Sequence, residues 1–223
     1  MGDPCKVSPC GKHLSLSHTI PNVSDTIEDM NATKIAKLLS VLLGPQMWLP
    51  VLFLATILRS GLTSQQLVIL FPSILFLEVV IPLSYLYLAP KMGLATAWDL
   101  PKRKERYPFL ALVFINNLVS LFLAHQFGTR LLFDLNILLI TCLIVLFTIT
   151  THWQISLHTA LNTFGGILIN FLFGWNLLLL YITIPIIFWA RLTLNKHSTI
   201  QLLTGIVVSG LIALGGLRYL GYL

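Results

Sequence analysis

The sequence predicts an all-α membrane protein, folded as a polytopic bundle of about seven transmembrane helices. Composition is the first reason, because 56% of the residues are hydrophobic and only 10% are charged, which is outside the usual range of soluble domains. The second reason is that the apolar residues form long runs of about 20, the length a helix needs to cross a bilayer. Since lipid offers no hydrogen-bond partners to the backbone, we expect these runs to be helical.

Charged and turn-forming residues separate the apolar runs from one another. The candidate spans cover residues 35–58, 67–88, 108–125, 131–150, 155–173, 175–189 and 200–219. The sixth is short and contains Pro185. Residues 1–34 are polar by comparison. We therefore divide the chain into a polar N-terminal tail, residues 1–34, and a transmembrane helical domain, residues 35–223.

Basic residues are concentrated on one side of the predicted bundle. With seven spans, the tail and the loops near 89–107, 151–154 and 191–199 share a side that holds eleven of the fourteen Lys and Arg residues. The positive-inside rule then predicts a multi-pass protein with this side in the cytoplasm. Without the seven loop charges the count is four against three, so the interpretation depends on whether those charges serve a site.

Two histidines, His158 and His197, lie at predicted membrane boundaries on this basic side. Histidine exchanges protons near neutral pH and can act as a nucleophile, while Arg binds phosphate oxygens through a planar fork. A basic segment such as residues 102–106 often does no more than anchor a helix and attract anionic lipid. Its combination with two histidines indicates phosphate chemistry at the membrane surface.

Three motifs around these residues resemble those of the phosphatidic acid phosphatase type 2 superfamily, which are membrane lipid phosphatases related to vanadium haloperoxidases. The third motif resembles Ala190-Arg191 followed by His197, with the family's spacing between Arg and His. The second, Pro-Ser-Gly-His, resembles residues 155–158, where Ser156 and His158 are kept. The resemblance implies a membrane-embedded enzyme that acts on a lipid phosphate or a prenyl pyrophosphate.

The first motif, a Lys followed by Arg-Pro, resembles DLPKRKERYP, with Arg106 near Pro108 and Lys102 or Arg103 in the leading basic position. The resemblance implies that His197 is the nucleophile, which forms a phosphohistidine, and that His158 is the general acid. It also implies that the phosphate is held by a set of basic and hydroxyl side chains: Arg191, Arg106, Arg103, Lys102 and Ser156. No metal or other cofactor is expected, since the eight acidic residues and three cysteines are scattered.

The sequence departs from the family at three places. Ile155 and Leu157 replace Pro and Gly, Ala190 replaces Ser, and Gln201 stands where the family has an Asp that orients the nucleophilic His. An uncharged Gln can orient an imidazole but cannot stabilise its cation as Asp does. An alternative therefore stays open, a catalytically degenerate relative that binds lipid or serves as a structural subunit of a membrane complex. In both cases the expected partners are membrane lipids and not nucleic acid.

Glu78 is the only carboxylate predicted deep within the bilayer, in the second span. Ionisable groups are costly there and are candidates for function. The structural interpretation is that Glu78 is protonated, or paired with a Tyr or Asn of a neighbouring helix.

Overall fold

The computed structural model describes residues 23–98, 100 and 102–223, and these are predominantly helical and contain no strand. The α-helices in this part of the chain are α1 (Val23–Leu42), α2 (Pro45–Arg59), α3 (Ser64–Leu75), α4 (Ile81–Lys91), α5 (Arg103–Phe127), α6 (Arg130–His152), α7 (Leu157–Leu172), α8 (Thr183–Thr193) and α9 (Thr199–Tyr219). The prediction of an all-α fold is confirmed.

Five helical segments are long and apolar enough to cross a membrane: Met30–Arg59, Ser64–Lys91, Lys104–Phe127, Arg130–His152 and Thr199–Tyr219. Their length and apolarity indicate a membrane-embedded protein. Two further apolar segments, Leu157–Leu172 and Leu178–Thr193, are shorter. Helix length alone therefore supports five of the seven predicted crossings.

The first predicted span consists of two helices. The break lies at Gly44, which has an extended backbone with ψ 163°, and Pro45 begins α2 because its missing N–H is not needed in a first turn. Helix α1 begins at Val23, so it extends well into the segment predicted as a polar tail. The remainder of that segment, residues 1–22, lies outside the described residues.

Helices α3 and α4 form one continuous segment through a π-helical turn at Phe76–Val80. Pro82 explains the turn, because a proline cannot donate a hydrogen bond to the carbonyl four residues before it, here that of Glu78. The Glu78 carboxylate is buried against α5, where it accepts from Ser120 Oγ at 2.6 Å and Asn117 Nδ2 at 3.0 Å. The predicted pairing with an Asn of a neighbouring helix is therefore found.

Helix α7 lies at the centre of the bundle and packs against α2 and α9. It approaches α9 closely at Gly205, where an added Cβ would lie 2.6 Å from Thr159 Oγ1 and 2.9 Å from the Ser156 carbonyl oxygen. Thr159 Oγ1 in turn donates to the Leu202 carbonyl at 3.1 Å. The start of α7 is thus fixed against the start of α9.

The sixth predicted span, residues 175–189, differs most from the structure. Gly174 and Trp175 both have positive φ (67° and 62°), and a 3₁₀ turn at Leu178–Ile182 precedes α8. Helix α8 continues to Thr193, so Arg191 lies within its last turn. Ala190 of α8 and Ala36 of α1 are both fully buried, and these small side chains allow the two helices to pack closely.

Contacts at the opposite end of the bundle join the ends of other helices. Arg59 Nε, at the end of α2, donates to the Leu172 carbonyl at the end of α7 at 2.9 Å. Beyond α9, Tyr222 donates its hydroxyl to Asp134 Oδ2 near the start of α6 at 2.9 Å. These contacts fix which helix ends lie away from the basic loops.

Candidate active site

A cavity of about 340 Å³ opens between the helices at the basic end of the bundle. Its polar wall includes His158, His197, Arg106 and Arg191, which come from three separate parts of the chain: α5, α7, and the end of α8 with the loop that follows it. Its remaining wall is largely apolar, with residues such as Leu49, Leu83, Leu86, Phe109, Leu110 and Leu161. The cavity therefore joins a cationic end to an interior that is largely apolar and that also includes the side chain of Glu78.

Helix α5 contributes one face to this cavity. Arg106, Phe109, Leu110 and Val113 all line it, and their spacing places them on one side of a helix. At 1.5 Å of rise per residue, the distance along the axis from Arg106 to Val113 is roughly 10 Å. The cavity thus extends inward from the charged end by about the length of a short alkyl segment.

Arg106 is held at the mouth of the cavity by the loop before α5 and the loop before α7. Its Nε donates to the Leu100 carbonyl at 2.9 Å, and Leu100 itself has a positive φ of 48°. Gln154, oriented with its amide oxygen towards Arg106, accepts from Nη1 and Nη2 at 3.2 and 3.3 Å. These contacts hold the Arg106 guanidinium at the mouth of the cavity.

His158 is the second residue of α7, and the helix starts there because Ser156 caps it. Ser156 Oγ accepts from the backbone N–H of Thr159, and Ser156 is fully buried. Unlike His158, Ser156 does not line the cavity. The structure gives Ser156 a capping role that positions His158, and the phosphate contact implied by the motif stays a prediction.

Arg191 and His197 reach the cavity from α8 and from the loop that follows it. Arg191 is 5% exposed and donates from Nη1 to Ser40 Oγ at 2.9 Å. The loop turns at Asn195, whose φ is 50°, and Lys196 donates its N–H to the Arg191 carbonyl at 3.1 Å. This tight turn brings His197, 7% exposed, to the same wall as Arg191.

Burial lowers the pKa of His197 from its ordinary value of 6.5 to about 4, and the positive charges of Arg191 and Arg106 act in the same direction. The imidazole is consequently neutral at neutral pH. A neutral ring nitrogen keeps the lone pair that a nucleophile needs. The charges of Arg191 and Arg106 also act on His158, so the four groups lie close enough together to influence one another.

Gln201 belongs to a capping box at the start of α9. Its Oε1 accepts from the Ser198 N–H at 2.9 Å, while its own N–H donates to Ser198 Oγ at 3.4 Å. Gln201 is also close enough to favour the cation of His197 through a side-chain hydrogen bond. However, the Nδ1 atom of His197 is buried without a close partner among the described residues.

Of the two basic residues predicted before Arg106, Lys102 does not line the cavity; its side chain is 68% exposed and lies 3.8 Å from Glu105. Arg103 begins α5, and its side chain lies outside the described part of the structure. Instead Lys37 of α1 and Lys196 line the cavity.

Lys37, Ser40 and Lys196 were not singled out from the sequence as site residues. Lys37 and Ser40 lie at the start of the first predicted span, where lysines commonly anchor helices and serines commonly pack. Lys196 could have been found, because it directly precedes His197. Nothing in the sequence, in contrast, indicated that α1 would pack against α8.

Together, these groups supply a neutral imidazole at His197, a second imidazole at His158 and two arginines around one space. Such an arrangement suits transfer of a phosphoryl group, in which catalysis consists mostly of positioning and stabilisation of negative charge. In the described part of the chain, no three His, Cys, Asp or Glu side chains are grouped as metal ligands would be. No known family model matches the chain, and no curated protein or solved structure is significantly similar to it.

Proposed function

We propose that this protein is an integral membrane lipid phosphatase, which hydrolyses a lipid phosphate or a prenyl pyrophosphate through a phosphohistidine. The observation that carries this proposal is the single cavity that holds His158, His197, Arg106 and Arg191 at one end and apolar walls at the other. A phosphorylated lipid has the matching polarity, since its phosphate is anionic and its chain is apolar. The likeness of the three motifs to the phosphatidic acid phosphatase type 2 superfamily supports the same reaction.

In the proposed mechanism, a ring nitrogen of His197 attacks phosphorus while the bond from phosphorus to the leaving oxygen breaks. His158 donates a proton to that oxygen, so the lipid leaves as an alcohol or, from a pyrophosphate, as a monophosphate. Water then attacks the phosphohistidine and gives its proton to His158. Inorganic phosphate leaves and His197 is restored.

Arg106 and Arg191 hold the phosphoryl oxygens during both steps. Their guanidinium groups are fixed by hydrogen bonds to the Leu100 carbonyl and to Ser40, so little reorganisation is needed when charge develops. In this proposal Gln201 orients His197 while it caps α9. Ser156 acts indirectly, because its capping of α7 sets the position of His158.

We also propose that all seven helical segments cross the membrane, with the cavity at the cytoplasmic face. The cavity is lined by Lys37, Leu86, Arg106, His158, Arg191 and His197, which belong to the beginning or end of six segments in the alternating order that seven crossings require. Arg59 and Leu172 meet at the opposite end. The cytoplasmic orientation rests on the eleven basic residues of one side.

The topology can be tested by labelling single cysteines in sealed vesicles with an impermeant reagent. Cysteine at position 104, in the exposed N-terminal turn of α5, and at exposed position 196 should be labelled from the cytoplasmic side. Cysteine at exposed position 61, beyond α2, should be labelled only from the other side. Labelling of positions 104 and 196 from opposite sides would refute the topology.

The activity can be tested by measuring phosphate release from purified protein in detergent, with phosphatidate, farnesyl pyrophosphate and undecaprenyl pyrophosphate as substrates. Turnover of at least one, with an acid-labile phosphoprotein trapped on brief incubation, is the expected result. The double variant His158→Ala/His197→Ala is the control for contaminating phosphatases. Equal release by wild type and the control would refute the proposal.

A second candidate function is lipid binding without turnover, as in a structural subunit of a membrane complex. Gln201 favours it, because its amide oxygen caps α9 and it carries no charge to stabilise a histidine cation. Binding of a lipid phosphate without phosphate release or phosphoprotein would support this function over catalysis. Loss of that binding in Arg191→Gln would assign it to the same cavity.

A further inference from the structure

Helix α1 forms part of the wall of the catalytic cavity. Lys37, Ser40 and Val41 all line the cavity, and their spacing places them on one face of the helix. Ala36, on the side that packs against α8, is fully buried. Other faces of the same helix expose the apolar side chains of Ile35 and Leu38, so α1 is not polar all round.

Two groups of the site depend directly on this face. Ser40 Oγ accepts the hydrogen bond from Arg191 Nη1 at 2.9 Å, and both side chains are buried. The backbone of Ser40 also lies within hydrogen-bonding range of the His158 imidazole. A residue of α1 is therefore in contact with one arginine and one histidine of the site.

The position of Lys37 matters because Lys102, one of the two residues that the motif offered for the leading basic position, does not line the cavity. The side chain of Lys102 is 68% exposed. Lys37 lies one turn before Ser40 and lines the cavity that contains Arg106 and Arg191. An ammonium group there can donate to a phosphoryl oxygen and offset its charge.

We propose that α1 is a functional element of the phosphate site, in which Lys37 binds the phosphoryl group and Ser40 positions Arg191 and His158. This inference rests on the proposed function, since it assigns roles within the same site. Lys37 takes the place that the resemblance gave to Lys102 or Arg103. Ser40 is a positioning residue, because it acts through Arg191 and His158 and not on the substrate.

The charge of Lys37 is tested by Lys37→Gln and Lys37→Arg, with Lys34→Gln as the matched control. Lys34 is an exposed residue of the same helix, one turn earlier, that does not line the cavity. The measurements are inhibition by inorganic phosphate and kcat/KM for the best substrate of the panel. Lys37→Gln should weaken phosphate inhibition and lower kcat/KM about 10-fold each, as loss of a charge-assisted hydrogen bond does.

Lys37→Arg should keep most of the activity, and Lys34→Gln should match wild type. Lys37→Gln that behaves like Lys34→Gln would overturn the assignment, while the proposed function would stand on the wild-type turnover. Absence of both turnover and phosphate binding in wild type would instead refute the proposed function. Since Lys37 is exposed, its replacement should leave the fold intact, which the thermal unfolding midpoint checks.

The role of Ser40 is tested by Ser40→Ala and Ser40→Thr, with Ser209→Ala as the control for loss of a buried hydroxyl. Ser209 Oγ donates within α9 to the Gly205 carbonyl at 2.7 Å. If Ser40 positions Arg191, Ser40→Ala should lower kcat about 10-fold at nearly unchanged KM, and Ser40→Thr should restore most of it. Equal kcat for Ser40→Ala and wild type, or a loss that Ser40→Thr does not restore, would overturn the positioning role.

Discussion

Arg191 in α8 donates a hydrogen bond to the hydroxyl of Ser40 in α1 at 2.9 Å, across 151 positions of sequence. Arg191 is 5% exposed, and a charge buried to this extent requires compensation by hydrogen bonds or an opposite charge. The bond to Ser40 holds the Arg191 guanidinium in place, and Arg106 lines the same cavity. Two guanidinium groups beside one space are a physical reason for the cavity to attract an anion.

The two histidines should have separable roles. His197→Ala should abolish both the phosphoprotein and turnover, because no nucleophile remains to form the covalent intermediate. His158→Ala should reduce turnover of an alkyl phosphate by about 10²–10⁴-fold, the usual contribution of a general acid. An activated aryl phosphate, whose leaving group needs no proton, should restore much of the activity of His158→Ala but none of that of His197→Ala.

Steady-state kinetics with both substrates, together with trapping of phosphoprotein, make this comparison. His152→Ala is the control, because His152 ends α6 at an exposed position and does not line the cavity. Rescue of His197→Ala by the aryl phosphate would contradict the assignment of roles.

The dependence of activity on pH should reflect the lowered pKa of His197. Since the nucleophile must be neutral and its pKa is about 4, the acid side of the kcat/KM profile should fall by half near pH 4 and not near 6.5. Arg106→Gln should move this limb towards higher pH, because it removes a positive charge that disfavours the cation. An acid limb near pH 6.5 in wild type would contradict the burial of His197.

The free energy of unfolding should also depend on pH, because folding lowers the pKa of His197. His197 has a pKa of about 4 in the folded chain and an ordinary value of 6.5, so the unfolded chain binds more protons between these values. Folding should therefore lose stability as pH falls from 6.5 towards 4. Over this pH range, His197→Gln should lose less stability than wild type does. The measurement is the difference in thermal unfolding midpoint between variant and wild type at each pH.

Replacement of Gln201 by Glu and replacement by Asp should have different effects on activity and stability. Gln201→Glu can keep the capping box and adds a negative charge at a helix start, which is favourable there. It should also raise the pKa of His197 and stabilise its cation, so we expect activity equal to or above wild type. In Gln201→Asp the shorter side chain cannot reach back to the Ser198 N–H in the same way. This variant should therefore add the negative charge but weaken the cap of α9.

The measurements for this pair are kcat/KM and the thermal unfolding midpoint. Gln201→Leu, which removes both the cap and the polarity, is the control. Activity of both Gln201→Glu and Gln201→Leu equal to that of wild type would show that Gln201 has no influence on His197.

The all-helical architecture and most helix positions were predictable from the sequence, because the apolar runs and their charged boundaries follow from the solvent alone. Helices α6 and α9 begin and end within two residues of the predicted limits. The turn at Gly174 and Trp175 was not predictable, since it requires positive φ at a Trp, which is rarely seen. That turn is why α8 is short.

The candidate site was only partly predictable. The spacing of Arg191 and His197, within one helix end and one tight turn, could be recognised because both residues are close in sequence. Lys37 and Ser40 could not, since their role depends on the packing of α1 against α8, which connects distant parts of the chain. Gln201 occupies a position of the third motif, but the motif does not indicate that its side chain accepts a hydrogen bond from the Ser198 N–H and caps α9.

The close contact between α7 and α9 at Gly205 gives a structural prediction with an internal control. At Gly205 an added Cβ would lie 2.6 Å from Thr159 Oγ1 and 2.9 Å from the Ser156 carbonyl oxygen, so the start of α7 would have to move. At Gly215 of the same helix an added Cβ would meet nothing within 4 Å. Gly205→Ala should therefore destabilise the protein by about 1–3 kcal/mol, as overpacking does.

Gly215→Ala should be neutral or stabilise α9 by up to about 1 kcal/mol, because Ala favours a helix over Gly. Gly205→Ala should also lower kcat, because a shift of Ser156 displaces the cap that sets the position of His158. The free energy of unfolding in mixed micelles and kcat for both variants provide the measurement. Equal stability of the two variants would mean that α7 and α9 are not in close contact at Gly205. In that case this contact would not be what holds His158 beside His197.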